Sequence, residues 1–241
     1  MASATGIPEQ RPAAPTEDEP LLGRPGDASQ HEGQGLQYNL ILGTGMVAQA
    51  GIWILVALVW SSVLMNKIIF FSYHPLVNSA GVLLITQAIL VLQPTATPKQ
   101  KTQGTHVHFA LNLSGTILLI VGLIIIERNK ASHPETRFKN VHGIMGLITF
   151  ILIIIQALIG FVQFYVPKTV LGSVDNGKAL YKYHRMSGYL ILLMSLATIC
   201  AATQTGFNNN VLHMQLWAVI VASVLVVVGI VPRIKKQKFG F

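Results

Sequence analysis

Six apolar runs dominate the chain and leave few folds open to it. They lie at about 41–64, 72–93, 106–126, 141–166, 181–203 and 211–231. Roughly 20 apolar residues in a helix cross the hydrocarbon core of a bilayer, so each run is long enough to span. None of the six contains Asp or Glu, and charged residues make up only 11% of the chain, against about 25% in a soluble domain. The pattern predicts an all-α membrane protein with six transmembrane helices. The loops are short, so consecutive helices should pack as antiparallel neighbours. The net charge of +8 then belongs to loops facing lipid headgroups and is no footprint of nucleic acid.

The flanks differ from the body. Residues 1–38 are rich in Pro, Gly, Ala, Gln and Glu and poor in large apolar side chains. Such a segment buries too little surface to offset its ordering entropy, so a disordered tail is expected there. Residues 39–231 form the membrane domain and 232–241 a short basic tail. With six spans both termini share one side. That side carries 12 cations: Arg11, Arg24, Lys99, Lys101, Lys168, Lys178, Lys182, Arg185, Arg233, Lys235, Lys236 and Lys238. The other carries 5: Lys67, Arg128, Lys130, Arg137 and Lys139. The excess of Lys and Arg places both termini in the cytoplasm. One cysteine, Cys200, excludes a disulfide or a thiolate metal site within one chain.

Ionisable residues inside spans point to function. His74, His108, His142 and His184 each stand near the N-terminal end of a different run, from the second to the fifth. Because alternate helices reverse direction, His74 and His142 fall near the outer face, and His108 and His184 near the cytoplasmic face. Two imidazoles facing each other across a gap suit six-coordinate haem iron, one on each side of the macrocycle. His74 is followed by Asn78 and Gly81, and His108 repeats this spacing with Asn112 and Gly115. Gly146 follows His142 and Gly188 follows His184, each by four residues. These glycines either leave a bare surface for a porphyrin or allow close helix packing. His106 lies two residues before His108, roughly 200° round the helix, and so points nearly the opposite way. A zinc site would want three or four converging ligands, and an ion-coupled transporter would want intramembrane carboxylates.

At these residues the chain resembles the cytochrome b561 family. The resemblance rests on "FSYHPLVNSAGVLLITQAILV", "HVHFALNLSGTILLIVGL", "KNVHGIMGLITFILIIIQALIGF" and "YKYHRMSGYLILL". "NVHGIMG" in the fourth span places it nearer the cytochrome b561 domain-containing branch than the members with "SLHSW" there. The resemblance implies a four-helix core of spans 2–5 holding two haem b groups. It implies His74 and His142 as the axial ligands of one and His108 and His184 of the other.

It further implies ascorbate as cytoplasmic electron donor, with monodehydroascorbate or a ferric chelate as acceptor on the opposite side, and a possible homodimer. Ascorbate is an anion, and Lys99, Lys101, Lys182 and Arg185 stand ahead of or beside the inner histidines. On the outer side His133 and Arg137 could draw an anionic acceptor. A quinol-oxidising cytochrome b and a non-enzymatic haem-binding membrane protein are the alternatives. Residues 17–22, "EDEPLL", resemble an acidic dileucine address for vacuolar or endolysosomal membranes, with the plasma membrane as the other destination.

Overall fold

The computed structural model describes residues 28–132, 134 and 137–235. Among these residues there are helices and turns and no strand. The expected sorting signal at 17–22 and His133 lie outside the described residues. Seven α-helices follow in order: α1 Gly45–Leu64, α2 Tyr73–Leu92, α3 Pro98–Ala131, α4 Val141–Tyr165, α5 Pro167–Leu171, α6 Val174–Ala202 and α7 Leu216–Ile230. All but α5 contribute to six stretches long and apolar enough to cross a membrane. The protein is an integral multi-pass membrane protein.

The helices pair before they bundle. α2 lies along α3, α4 along α6, and α1 along α7 and α2. One apolar core joins α1, α2, α6 and α7 through Ile52, Leu55, Leu90, Leu196, Val226 and Ile230. A smaller cluster of Leu119, Ile153 and Ile191 bridges α3, α4 and α6. The remaining faces are apolar and exposed, as at Ile124, Ile151, Leu158, Leu190 and Val224. That is the expected distribution where the solvent is lipid.

Two helices outrun the sequence boundaries. α3 starts at Pro98, eight residues before the expected 106, because Thr97 caps it. The Thr97 hydroxyl accepts from Gln100 N–H, the Gln100 side chain accepts from Thr97 N–H, and Pro98 opens the first turn. Its 34 residues make about 51 Å of helix, well beyond the roughly 30 Å hydrocarbon core. α6 starts at Val174, where Ser173 accepts from Asn176 N–H. The sixth span starts later than 211, at Leu216, because Asn208–Leu212 forms a π turn and His213 takes a left-handed φ of 54°.

Residues 28–40 pack across one end of the bundle. Lys235 Nζ donates to Ser29 Oγ at 2.8 Å, so both described ends of the chain meet there, at what is termed the terminal face. Gln30 N–H donates to the Pro94 carbonyl at 2.9 Å, and buried Asn39 donates to the Val91 carbonyl at 2.8 Å. Arg233, buried at the end of the sixth span, donates from Nη2 to the carbonyls of Asn39 at 2.6 Å and Leu90 at 3.1 Å. No carboxylate pairs with it among the described residues. The carbonyl-rich C-terminal ends of α2 and of the last span supply the negative potential instead.

Candidate functional site: two histidine pairs at two depths

The four histidines meet in two pairs. The ring centres of His74 on α2 and His142 on α4 are 6.3 Å apart. Those of His108 on α3 and His184 on α6 are 6.5 Å apart. Two metal–nitrogen bonds of about 2 Å, plus about 1.1 Å from each nitrogen to its ring centre, span about 6.2 Å. Each pair therefore has the spacing of two imidazoles on opposite sides of one metal ion. Among the described residues no cluster of three or more His, Cys, Asp or Glu could hold a metal. A two-ligand group whose other ligands come with it, as in a porphyrin, fits these residues; a tetrahedral zinc site does not.

Ring orientation is set by the neighbouring helix. His74 Nδ1–H donates to the Gly122 carbonyl at 2.9 Å. His108 Nδ1–H donates to the Ala88 carbonyl at 2.8 Å, and His142 Nδ1–H to the Thr198 carbonyl at 2.9 Å. A carbonyl only accepts, so the proton is fixed on Nδ1 and the Nε2 lone pair is left for a metal. α2 and α3 exchange these bonds reciprocally. On each helix, histidine and acceptor carbonyl lie fourteen residues apart, about 21 Å along the axis. That figure is the depth difference between the two pairs. His184 is the exception: among the described residues its buried Nδ1 has no partner.

The backbone around the histidines is held as well. Asn78 Nδ2 donates to the His74 carbonyl at 2.7 Å and Asn112 Nδ2 to the His108 carbonyl at 2.8 Å. Phe71 stacks on the His74 ring at 5.4 Å and meets the edge of Phe207 at 4.8 Å. The glycines divide by role. A Cβ at Gly81 would come 3.0 Å from the Gly115 carbonyl, and one at Gly115 would come 2.9 Å from the Gly81 carbonyl. These two let α2 and α3 approach and offer no porphyrin bed. Gly146 has only Thr198 Cγ2 at 3.7 Å, which leaves its surface open.

His108 and His184 lie deeper in their helices than the runs suggested, because α3 and α6 begin well before them. His106 points away from the pair; its Nδ1 is 3.0 Å from the Tyr165 hydroxyl. Lys99 is exposed in the first turn of α3, with Lys101 just after it. Lys182 is exposed on α6, its ammonium 5.0 Å from the Tyr183 ring centre, and Arg185 adjoins His184. On the far face Arg137 is paired with Glu127 at 2.8 Å, which engages the charge expected to draw an acceptor. The second-helix and third-helix asparagines were legible as a repeat; the carbonyl tethers were not, since a main-chain acceptor leaves no mark in side-chain identity.

The sequence model of eukaryotic cytochrome b561 matches residues 73–213. The chain belongs to the eukaryotic cytochrome b561 family. The match runs from the residue before His74 to His213 and contains both histidine pairs. Members of the family typically bind two b haems, carry electrons across membranes and are generally ascorbate-dependent oxidoreductases. No curated protein matches the chain.

Proposed function

We propose that this cytochrome b561 takes electrons from cytoplasmic ascorbate and delivers them across the membrane to monodehydroascorbate or a ferric chelate. The reading is carried by one observation: two histidine pairs at bis-imidazole spacing, 6.3 and 6.5 Å, near opposite ends of the bundle. His108 and His184 would hold the haem at the terminal face, and His74 and His142 the haem at the far face. When bound, the two haems supply one-electron redox chemistry at each end.

The chain does the rest. Lys99, Lys101, Lys182 and Arg185 give the terminal face a positive field that draws the ascorbate anion. Nδ1 tethers hold Nε2 of three ligands toward the iron position. Leu119, Ile153 and Ile191 fill the protein between the two depths and keep water out. Loss of one electron and one proton turns ascorbate into monodehydroascorbate. On the other side the acceptor gains that electron, as ferric iron becoming ferrous or as monodehydroascorbate regaining a proton. The terminal face is cytoplasmic by the excess of cations there. The dileucine-like segment addresses the protein to a vacuolar or endolysosomal membrane; replacing Leu21 and Leu22 by Ala should move a tagged copy to the cell surface.

The test is spectral. Purified protein from haem-sufficient cells should hold two haems per chain and show a reduced b-type spectrum on adding ascorbate. A colourless preparation would sink the redox reading. Reduction by quinol and not by ascorbate would favour a quinol-oxidising cytochrome b.

A further inference from the structure

The segment Gln156-Ala-Leu-Ile-Gly160 of α4 lies opposite His184, the ligand without a tether. On α2, α3 and α6 the carbonyl that holds a partner's histidine lies fourteen residues after that helix's own histidine: Ala88, Gly122 and Thr198. The same count from His142 on α4 reaches Gln156. Its carbonyl is the acceptor His184 should use, yet His184 Nδ1 has no partner among the described residues.

The Gln156 side chain is engaged there instead. Gln156 Nε2 donates to the main-chain carbonyl of His184 at 2.5 Å. Ser187 Oγ donates to Gln156 Oε1 at 2.8 Å. Gly188 leaves room for the amide, since a Cβ there would come 3.0 Å from Nε2. The His184 ring lies over Gly160, one turn beyond Gln156, where an added Cβ would be 2.9 Å from its Cε1.

We propose that Gln156 is a positioning residue: it clasps the backbone of His184, holds the ring over Gly160 off the Gln156 carbonyl, and thereby makes the two haem sites electronically unequal. The proposal rests on the two-haem reading above. A ring that donates Nδ1–H to a carbonyl is a more basic ligand and favours ferric iron. Both ligands at the far face are tethered so, and only His108 is at the terminal face. The haem at the terminal face therefore has the higher midpoint potential. Removing the clasp lets the His184 ring fall back on the Gln156 carbonyl, as the other three do, and lowers that potential alone.

The experiment is spectroelectrochemistry of the purified full chain at fixed pH. His108→Ala identifies the terminal-face component by its loss. In the parent protein that component should be the higher of the two. In Gln156→Met it should shift down toward the other, which stays in place. If Gln156→Met does not retain that haem, Ser187→Ala, which removes the hydroxyl from the amide oxygen and from the Tyr183 and His184 carbonyls, must lower the same component. A terminal-face component that is already the lower one, or that moves in neither variant, or a shift common to both haems, overturns the proposal and leaves the two-haem reading standing. A parent protein without haem overturns that reading instead.

Discussion

A histidine near the end of an apolar helix means little until its two nitrogens are told apart. In His74, His108 and His142 the Nδ1 proton is committed to a carbonyl on a neighbouring helix, and Nε2 is the atom left to bind. Pair membership then makes a prediction that single ligands cannot. His74→Ala and His142→Ala should each lower the haem content from two per chain to one and leave the same residual spectrum. His108→Ala and His184→Ala should share the complementary one. Different residual spectra within a pair would break the assignment. The glycines give a second contrast. Gly115→Leu drives a side chain into the Gly81 carbonyl, 2.9 Å from the first added carbon, and should cost about 1–3 kcal/mol in overpacking. It separates α2 from α3, whose exchanged tethers hold one histidine of each pair, so both haems should bind more weakly. Gly146→Ala meets only a methyl group of the protein at 3.7 Å, so it should leave the helix packing and the melting temperature of the haem-free protein nearly unchanged and weaken at most the haem of His142. Haem-to-protein ratio and thermal unfolding of the two variants decide between these outcomes.

At the scale of the element, hydropathy told which segments cross and little about where each helix ends. Apolar runs report the solvent around a helix, so the polar turns of α3 from Pro98 and of α6 from Val174 read as loops although Thr97 and Ser173 cap them. The repeat of His, Asn and Gly in the second and third spans was legible, because side-chain identity carries it. The pairing of α2 with α3 and of α4 with α6, which are consecutive spans, followed from the short loops; the tethers across those pairs depend on main-chain groups and were not legible. Nor was the role of Arg233, which the sequence offers as one more cation at a membrane edge. In the structure it ties the 3-10 turn Leu36–Leu40 and the end of α2 to the end of the last span. Arg233→Met keeps the apolar stem and removes the donors to two carbonyls, at a cost of roughly 1.5–3 kcal/mol. Amide hydrogen exchange over residues 28–40 should accelerate while both haems stay bound. Unchanged exchange there would mean that Asn39 and Gln30 hold the segment without it.

The whole molecule is a sided object, and its sidedness has a measurable consequence. The proposed orientation, from twelve cations against five in the sequence, puts the face where the described ends meet in the cytoplasm, and that face lies nearest His108 and His184. Across the other face the charge is both sparser and partly neutralised, as by the Arg137–Glu127 pair. An anionic donor should therefore be captured faster at the terminal face, through a field that salt screens over about 10 Å at 0.1 M. In vesicles holding the protein in one orientation, ascorbate added at the terminal face should reduce haem quickly, with kcat/KM falling as ionic strength rises. Lys99→Ala removes an exposed charge about 13 Å along α3 from His108. Exposed charges are worth about 0.2–1 kcal/mol, so kcat/KM for ascorbate should drop by up to about fivefold and its salt dependence should flatten. The loss should lie in KM, because the lysine attracts the donor and does not touch the iron ligands. A fall in kcat with KM unchanged would show that Lys99 acts on the electron-transfer step. Equal rates from both faces would remove the case that charge selects the donor side.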